Sequence, residues 1–225
     1  MVSKKFVRCI ARVAALAAAI VPYASAQSHR HHENSVSRQY RLSRAIKETY
    51  THRWEIGAGG GFLRFEPGPL LRRDDQIDWA TSAAYYLTPQ YGIVADVSGH
   101  FGDTSLPNNF YTIYHPLITE YTFMAGPQWR FYRREKYAIS AHVLGGDAMG
   151  NFDGGSHGVP APLLGMWPDS NKTFAASVGV DFDYNFYPNL AFRWEPAYVY
   201  THFGGASQNN KGMNFELVYR FGRIK

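Results

Sequence analysis

The feature that most constrains this chain is a period-two alternation of apolar and polar residues, which recurs from Trp54 almost to the end of the sequence. In the stretch GMNFELVYRFG, every second residue is large and apolar, and the residues between them include Glu216 and Arg220. Successive side chains of a strand point to opposite faces, so this stretch predicts a strand with one apolar and one charged face. The alternation does not say which face meets water.

Eight runs of this kind follow one another: Trp54 to Phe65, Ile77 to Leu87, Tyr91 to Phe101, Leu117 to Phe131, Tyr137 to Gly145, Thr173 to Phe186, Leu190 to Phe203, and Met213 to Phe221. Their lengths suit the roughly 9–11 residues that a tilted strand needs to cross a bilayer. Short connections (TPQ, YRRE, YPN) alternate with longer ones, the longest being Asp147 to Lys172. This order predicts an all-β fold, an eight-stranded antiparallel up-and-down transmembrane β-barrel over residues 54–222. Pro127 and Pro196 lie within runs, which predicts bulges or rim positions there.

The charges separate the two faces of these strands. Arg64 is the only charged residue on the apolar faces. A soluble ligand-binding barrel such as a lipocalin would have to pack the many aromatic residues into a narrow interior. The opposite orientation, with aromatics toward lipid and charges inside, is more economical. It predicts an interfacial aromatic girdle at strand ends: Trp54, Tyr85, Tyr91, Trp129, Phe131, Tyr137, Phe186 and Phe221.

The same orientation predicts a charged lumen in which acids outnumber arginines eight to three. Buried charges must be paired or share protons, so we expect a lumen charge network. Its predicted members are Glu55, Asp96, Glu120, Arg130, Asp181, Arg193, Glu195, Glu216 and Arg220. Such a network can simply fill the lumen, and the alternative is a gated ion path. The glycines of GAGGG, from Gly57 to Gly61, would leave room for side chains from facing strands.

The N-terminus has the three parts of a secretory signal peptide. Four basic residues precede the apolar run VAALAAAIV, and the small residues ASA end at Ala26. Nine apolar residues are too few for a membrane-spanning helix, which needs about 20. We therefore expect a signal peptide over residues 1–26 and an exported chain. The next segment, 27–53, predicts a flexible basic periplasmic arm with one helical stretch around Val36 to Tyr50.

Charge and cysteine content exclude several classes of function. Without the signal peptide, 19 Lys and Arg face 18 Asp and Glu, so the basic balance that would favour nucleic-acid binding is lost. Cys9 is the only cysteine and lies in the signal peptide, so the exported chain has no disulfide or thiol chemistry. His29, His31 and His32 have no fourth ligand at a fixed offset, so we predict no metal site. We also predict no cofactor.

The signal peptide, the eight runs and the ending YVYTHFGGASQNNKGMNFELVYRFG resemble the OmpA-like outer membrane protein beta-barrel family. The resemblance covers roughly residues 54–222, with a tail over residues 223–225. It implies a small eight-stranded barrel in the outer membrane of a Gram-negative cell. The even number of strands, with short turns on the periplasmic side, then predicts both termini in the periplasm. The resemblance implies outer-membrane lipid, lipopolysaccharide and the barrel assembly machinery as partners. The family does not imply one activity.

An enzymatic alternative rests on another resemblance. Some eight-stranded outer-membrane barrels are lipid A deacylases whose last strands carry an H-x-S-N-A pattern. Here the comparable stretch is THFGGAS, with His202 but with glycines at positions 204 and 205, and Ser207 follows five residues after the histidine. That spacing does not ensure hydrogen-bond contact between base and nucleophile. The sequence therefore predicts a non-enzymatic barrel with no catalytic residue, whose loops are the surface for a partner; a lipid A-modifying barrel is the alternative.

Overall fold

The computed structural model describes residues 34–224. The predicted signal peptide and His29, His31 and His32 lie outside the described residues. The chain divides into two compact units, Met1–Arg38 and Gln39–Lys225. Of the first unit only residues 34–38 are described, and they include the first residues of helix α1, Ser35–Tyr50. The second unit holds the remainder of α1 and all the strands. Among residues 34–224, no helix is long and apolar enough to cross a membrane.

The strands form one closed barrel. They are β1 Trp54–Phe65, β2 Asp74–Tyr86, β3 Tyr91–Asp103, β4 Leu117–Arg133, β5 Tyr137–Gly154, β6 Ser170–Tyr187, β7 Leu190–Thr201 and β8 Gln208–Phe221. Each strand pairs antiparallel with its neighbours in sequence, and β1 pairs with β8 to close the ring. The prediction of an eight-stranded up-and-down barrel is therefore confirmed.

The connections alternate in length as predicted. Residues 87–90, 134–136 and 188–189 form the short turns, and residues 66–73, 104–116, 155–169 and 202–207 form the longer loops. Trp54 at the start of β1 pairs with Tyr85 near the end of β2 and with Phe221 at the end of β8. The residues that directly flank the barrel in sequence, 51–53 and 222–224, therefore lie at its short-turn end.

The third loop is shorter than the predicted segment from Asp147 to Lys172. β5 continues to Gly154 and β6 begins at Ser170, so both ends of that segment are strand. β8 likewise begins at Gln208, five residues before the predicted start. The apolar alternation fades in these extensions because polar and glycine residues replace the apolar ones. Backbone pairing continues, as in Ala148 with Thr173, and it needs no apolar side chain.

The strands have no bulge at Pro127 or Pro196, so the bulges predicted there are wrong. β4 and β5 keep one register on both sides of Pro127, and β6 and β7 do so on both sides of Pro196. A residue in an antiparallel strand directs its N–H and C=O toward the same neighbour. The missing N–H of a proline therefore removes a hydrogen bond to only one of its two neighbouring strands. Pro127 still pairs with Ile93 and Pro196 with Met213.

Burial alternates along the strands, with lumen-facing residues buried and outward-facing residues exposed. Val178 is 53% exposed, whereas its neighbour Ser177 is 4% exposed. Outward-facing positions carry large apolar side chains, and the charged Arg64 is exposed at the loop end of β1. Within residues 34–224 the buried acidic and basic side chains are eight acids, three arginines and two histidines, all of them on barrel strands.

Candidate functional site

The most concentrated chemistry of the barrel is an arginine cluster near the short-turn end of the lumen, formed by Glu55, Asp183, Arg130, Arg193 and Arg220. Glu55 is the centre of the cluster. Its Oε1 accepts hydrogen bonds from Nε of Arg220, at 2.7 Å, and from Nη2 of Arg130. Its Oε2 accepts one from Nη2 of Arg193 at 3.0 Å. One carboxylate from β1 thus joins guanidinium groups from β4, β7 and β8.

Asp183 on β6 supplies the second carboxylate of the arginine cluster. Arg193 donates to both of its oxygens, at 2.8 and 3.2 Å, in the two-pronged geometry that suits a guanidinium and a carboxylate. Arg220 donates to Oδ2 of Asp183 at 2.7 Å and to Oδ1 of Asn185 at 2.6 Å. All five members are at most 2% exposed. Buried charges that are paired in this way fix the relative positions of five strands.

A chain of hydrogen bonds leads from the arginine cluster toward the middle of the lumen. Arg130 donates to the hydroxyl of Tyr86 at 2.6 Å, and its guanidinium lies 4.1 Å from the centre of that ring. The Tyr86 hydroxyl donates to Gln128 at 2.9 Å, and Gln128 donates to Oδ2 of Asp181 at 2.6 Å. Oδ1 of Asp181 lies 3.1 Å from Nδ1 of His142. The chain thus ends at a histidine held between acids.

A second group of lumen residues surrounds His100 on β3. Asp78 and Glu120 lie opposite His100 on the two neighbouring strands, and Nδ1 of His100 is 3.5 Å from Oδ2 of Asp78. Ser98 bonds to Nε2 of His100 at 3.2 Å. Neither carboxylate oxygen of Glu120 has a hydrogen-bond partner among the described residues. No ion pair with an arginine is seen for these acids in the described chain.

All nine residues predicted for the lumen network are buried, but they do not form a single network. Glu55 and the three arginines come together as expected. Asp181 and Glu195 instead flank His142, Glu216 accepts a hydrogen bond from Ser82 at 2.9 Å, and Glu120 lies beside His100. Asp96 faces a small cavity in the middle of the lumen. Alternation along β6 places Asp183 on the lumen face, but Asp183 was not among the predicted network members, because alternation does not show which strands bring partners together.

Tyr50, at the end of α1, closes the short-turn end of the lumen. The predicted arm, residues 27–53, is helical over Ser35–Tyr50. Tyr50 itself is only 2% exposed. Its hydroxyl donates to the backbone oxygen of Arg134 at 2.7 Å and accepts from Asn185 at 2.8 Å. Its ring centre lies 5.2 Å from the guanidinium of Arg130. Burial raises the pKa of the Tyr50 hydroxyl, so the hydroxyl keeps the proton that it donates to the backbone oxygen of Arg134.

An apolar plug closes the loop end, formed by Phe65, Phe152, Phe203 and Trp167. The ring centres of the three phenylalanines are 5.1–6.4 Å apart, and all three side chains are fully buried. Trp167 comes from the third loop and donates from its indole nitrogen to the backbone oxygen of Glu66 at 2.7 Å. The third loop is therefore packed into the barrel end. This packing contradicts the expectation that the whole connection from Asp147 to Lys172 is surface loop.

Between these two closures, the lumen contains little free space. One cavity of about 20 Å³ is bordered by Asp78, Asp96, His100 and Glu195, among others. Another, of about 10 Å³, is bordered by Asp96, Gln128, His142, Asp181 and Glu195, among others. A cavity of this size holds about one water molecule.

The eight residues predicted for the aromatic girdle all lie at the short-turn end of the barrel. Seven of them are 37–56% exposed, and Tyr85 is half-buried. Trp54 packs edge-on against Tyr85 at 4.7 Å between ring centres, and Trp129 packs beside Phe131 at 5.3 Å. The loop end has its own outward aromatics, such as Phe101 and Tyr121 at 5.8 Å, which the prediction omitted.

The residues of the enzymatic alternative meet at the loop-end rim. The Tyr200 hydroxyl lies 2.9 Å from Oγ of Ser207 and 3.3 Å from Nδ1 of His202. Tyr200 is half-buried, and Ser207 and His202 are exposed. The serine and the histidine therefore share a hydrogen-bond partner, and a tyrosine hydroxyl lies between the two groups that nucleophilic catalysis needs in contact.

No protein-family model matches the sequence, and no curated protein matches it. Solved structures do share its fold. Neisserial surface protein A matches with a TM-score of 0.56 and 12% sequence identity, over 75% of this chain and 97% of that protein. The outer membrane protein OprG from Pseudomonas aeruginosa matches with a TM-score of 0.50 and 9% identity, over 77% of this chain and 98% of that protein. Both are small outer-membrane barrels, and at this identity the likeness concerns the fold. The predicted resemblance to OmpA-like proteins in particular stays a prediction.

Proposed function

We propose that this protein is an integral outer-membrane β-barrel without enzymatic activity, with a closed polar lumen and with loops that bind a partner. The observation that supports a membrane location is the outer surface of the barrel. Large apolar residues such as Ile77, Val143 and Leu217 are 56–69% exposed there, while the charged residues of the strands are mostly buried inside. A surface of this kind is costly in water and is favourable in lipid.

The orientation follows from the same proposal. In outer-membrane barrels, short turns face the periplasm and longer loops face the outside of the cell. The helix α1 and the tail after Phe221 then lie on the periplasmic side, together with the basic residues Arg133, Arg134 and Lys136 of the second turn. Lipid and lipopolysaccharide would surround the outer surface, and the barrel assembly machinery would insert the chain.

A structural rather than a channel role is supported by the closures at both ends of the lumen. Tyr50 closes one end and the apolar plug closes the other. Each cavity described between them is no larger than about one water molecule. We therefore expect no steady open-channel current when the folded protein is placed in a planar bilayer. The control is the same preparation unfolded by heat before reconstitution, which sets the leak level. A stable current above that level would support the gated ion path instead.

The long loops offer the surface for a partner. Leu70 and Phe110 are each 95% exposed, and Leu163 is 60% exposed, one residue in each of the first three loops. Exposed apolar side chains on loops that a rigid scaffold holds are typical of recognition surfaces. The partner of these loops would lie outside the cell, since the loops face that side in the proposed orientation.

A lipid A-modifying enzyme is the second candidate, favoured by the contact of Tyr200 with both His202 and Ser207 at an exposed rim. If the protein is not an enzyme, cells that express it keep the lipid A composition of cells without it. The measurement is mass profiling of lipid A from strains that carry the empty vector, the wild type, His202→Ala or Ser207→Ala. An acyl chain that is lost only with the wild type would establish the enzymatic function.

A further inference from the structure

The lumen of the described chain has more acidic charge than its arginines can balance. Eight carboxylates and three guanidinium groups are buried there. The arginines make their ion pairs with Glu55 and Asp183. The six remaining carboxylates share the lumen with two histidines. A buried carboxylate is costly unless it is paired, protonated or bound to a cation, so the middle of the lumen favours a bound positive charge.

One histidine among these acids has an unused nitrogen. His142 is 4% exposed, and its Nδ1 lies 3.1 Å from Asp181. Its Nε2 has no hydrogen-bond partner among the described residues, although Oε1 of Glu195 lies 3.5 Å away. A buried ring nitrogen that faces a carboxylate without a hydrogen bond is unusual, because most buried polar atoms are paired. The arrangement leaves a lone pair and a carboxylate directed at the same small space.

The spacing of these groups suits a metal ion. One ligand atom from each of His142, Asp181 and Glu195 lies within 4.8 Å of the ligand atoms of the other two. Ligands about 2.0–2.2 Å from a tetrahedral zinc ion are roughly 3.3–3.6 Å from one another. The Nε2 to Oε1 distance of 3.5 Å is already in that range. Asp181 contacts Nδ1 and Glu195 lies near Nε2, so the imidazole would have to turn until both carboxylates face one ring nitrogen, and the widest separation, at most 4.8 Å, would have to shorten by about 1 Å.

We propose that His142, Asp181 and Glu195 bind one divalent transition-metal ion of the zinc class in the lumen of the barrel. The 10 Å³ cavity beside all three residues has room for a water molecule as the fourth ligand. An imidazole among the ligands favours zinc and its neighbours over magnesium or calcium, which prefer oxygen ligands alone. A bound divalent cation would offset part of the excess negative charge of the lumen carboxylates.

Two neighbours hold the proposed ligands in place. Gln128 donates to Oδ2 of Asp181 at 2.6 Å, while Oδ1 lies 3.1 Å from Nδ1 of His142. Gly179 on β6 lies beneath the imidazole, because a Cβ at that position would be only 2.5 Å from Cε1 of His142. The ring occupies space that a larger residue would fill. Outer contacts of this kind orient metal ligands in proteins.

The test is the metal content of the folded protein. The full exported chain would carry His29→Gln, His31→Gln and His32→Gln, so that these three histidines contribute nothing. It would be folded in detergent micelles with Zn²⁺ alone, freed of excess ion, and analysed by elemental mass spectrometry on the heat-modifiable, folded fraction only. We expect about one zinc ion per chain, as for a site with three protein ligands. Co²⁺ in place of Zn²⁺ should give the visible absorption of a four-coordinate ion.

His100 provides the matched control, since it is also a lumen histidine flanked by acids but is not part of the proposed ligand set. His142→Gln should lower the bound zinc at least about tenfold, and His100→Gln should leave it unchanged. Glu195→Gln serves as the second variant if His142→Gln does not fold. The proposal is wrong if the folded background chain binds no zinc, or if His142→Gln and Glu195→Gln retain as much zinc as His100→Gln does.

Discussion

The Glu55→Gln variant should lose about 3–5 kcal/mol of unfolding free energy, the usual cost of removing one partner from a buried ion pair. The substitution keeps the shape of the side chain but takes away the carboxylate that contacts Arg130, Arg193 and Arg220. Asp183 would still pair with Arg193 and Arg220, but Arg130 would be left without the one ion pair that it makes in the described contacts. The measurement is urea unfolding of the barrel in lipid bilayers.

Glu120→Gln is the matched control for that experiment. Glu120 is also a fully buried lumen glutamate, but its carboxylate makes no hydrogen bond or arginine ion pair among residues 34–224. Loss of its charge should change the stability by less than about 0.5 kcal/mol or increase it, because no charged partner is left behind. Equal losses for the two variants would mean that the arginine cluster contributes nothing specific to stability.

Val178→Arg should destabilise the barrel by about 2–4 kcal/mol, the cost of an arginine on the lipid-facing surface near the middle of a bilayer. Val178 is in the interior of β6, points outward and is 53% exposed. In water the same substitution at such an exposed site would change little. The experiment compares refolding into bilayers with refolding of the control variant Leu163→Arg.

Leu163 is a fitting control because it is 60% exposed but lies in the third loop, outside the strands. An arginine there should alter the unfolding free energy by less than about 0.5 kcal/mol, as most surface substitutions do. The comparison of the two variants separates the effect of contact with lipid from the effect of side-chain exposure alone. If both arginines are tolerated equally, the apolar outer surface does not lie in a membrane and the proposed location is wrong.

The sequence was sufficient for the features that depend on neighbouring residues along one strand. Alternation separated Glu55 from Trp54 and Ser177 from Val178, and so assigned the inner and outer faces before any pairing was known. The strand count and the alternation of short turns and long loops followed from the same signal. These predictions need no knowledge of which strands meet.

Features that depend on contacts between distant segments could not be predicted in this way. The separation of Glu120 from the arginines, the insertion of Tyr50 and the burial of Trp167 all depend on the register of strands and loops. The extension of β5 to Gly154 rests on backbone hydrogen bonds, which leave no apolar pattern in the sequence. The unused Nε2 of His142 is likewise visible only once Asp181 and Glu195 have been placed beside it.

The position of Glu55 on the first strand has a consequence for the order in which the barrel can assemble. Its partners Arg193 and Arg220 are 138 and 165 residues further along the chain, and Arg220 is on the strand that forms the closing seam with β1. A partly formed sheet, still open between β1 and β8, keeps Glu55 apart from Arg220 and leaves charged groups without partners. Contacts of such long range form late in folding, because a large loop must close first. Seam formation and neutralisation of these charges are thus one event, so open intermediates are penalised and closure is cooperative.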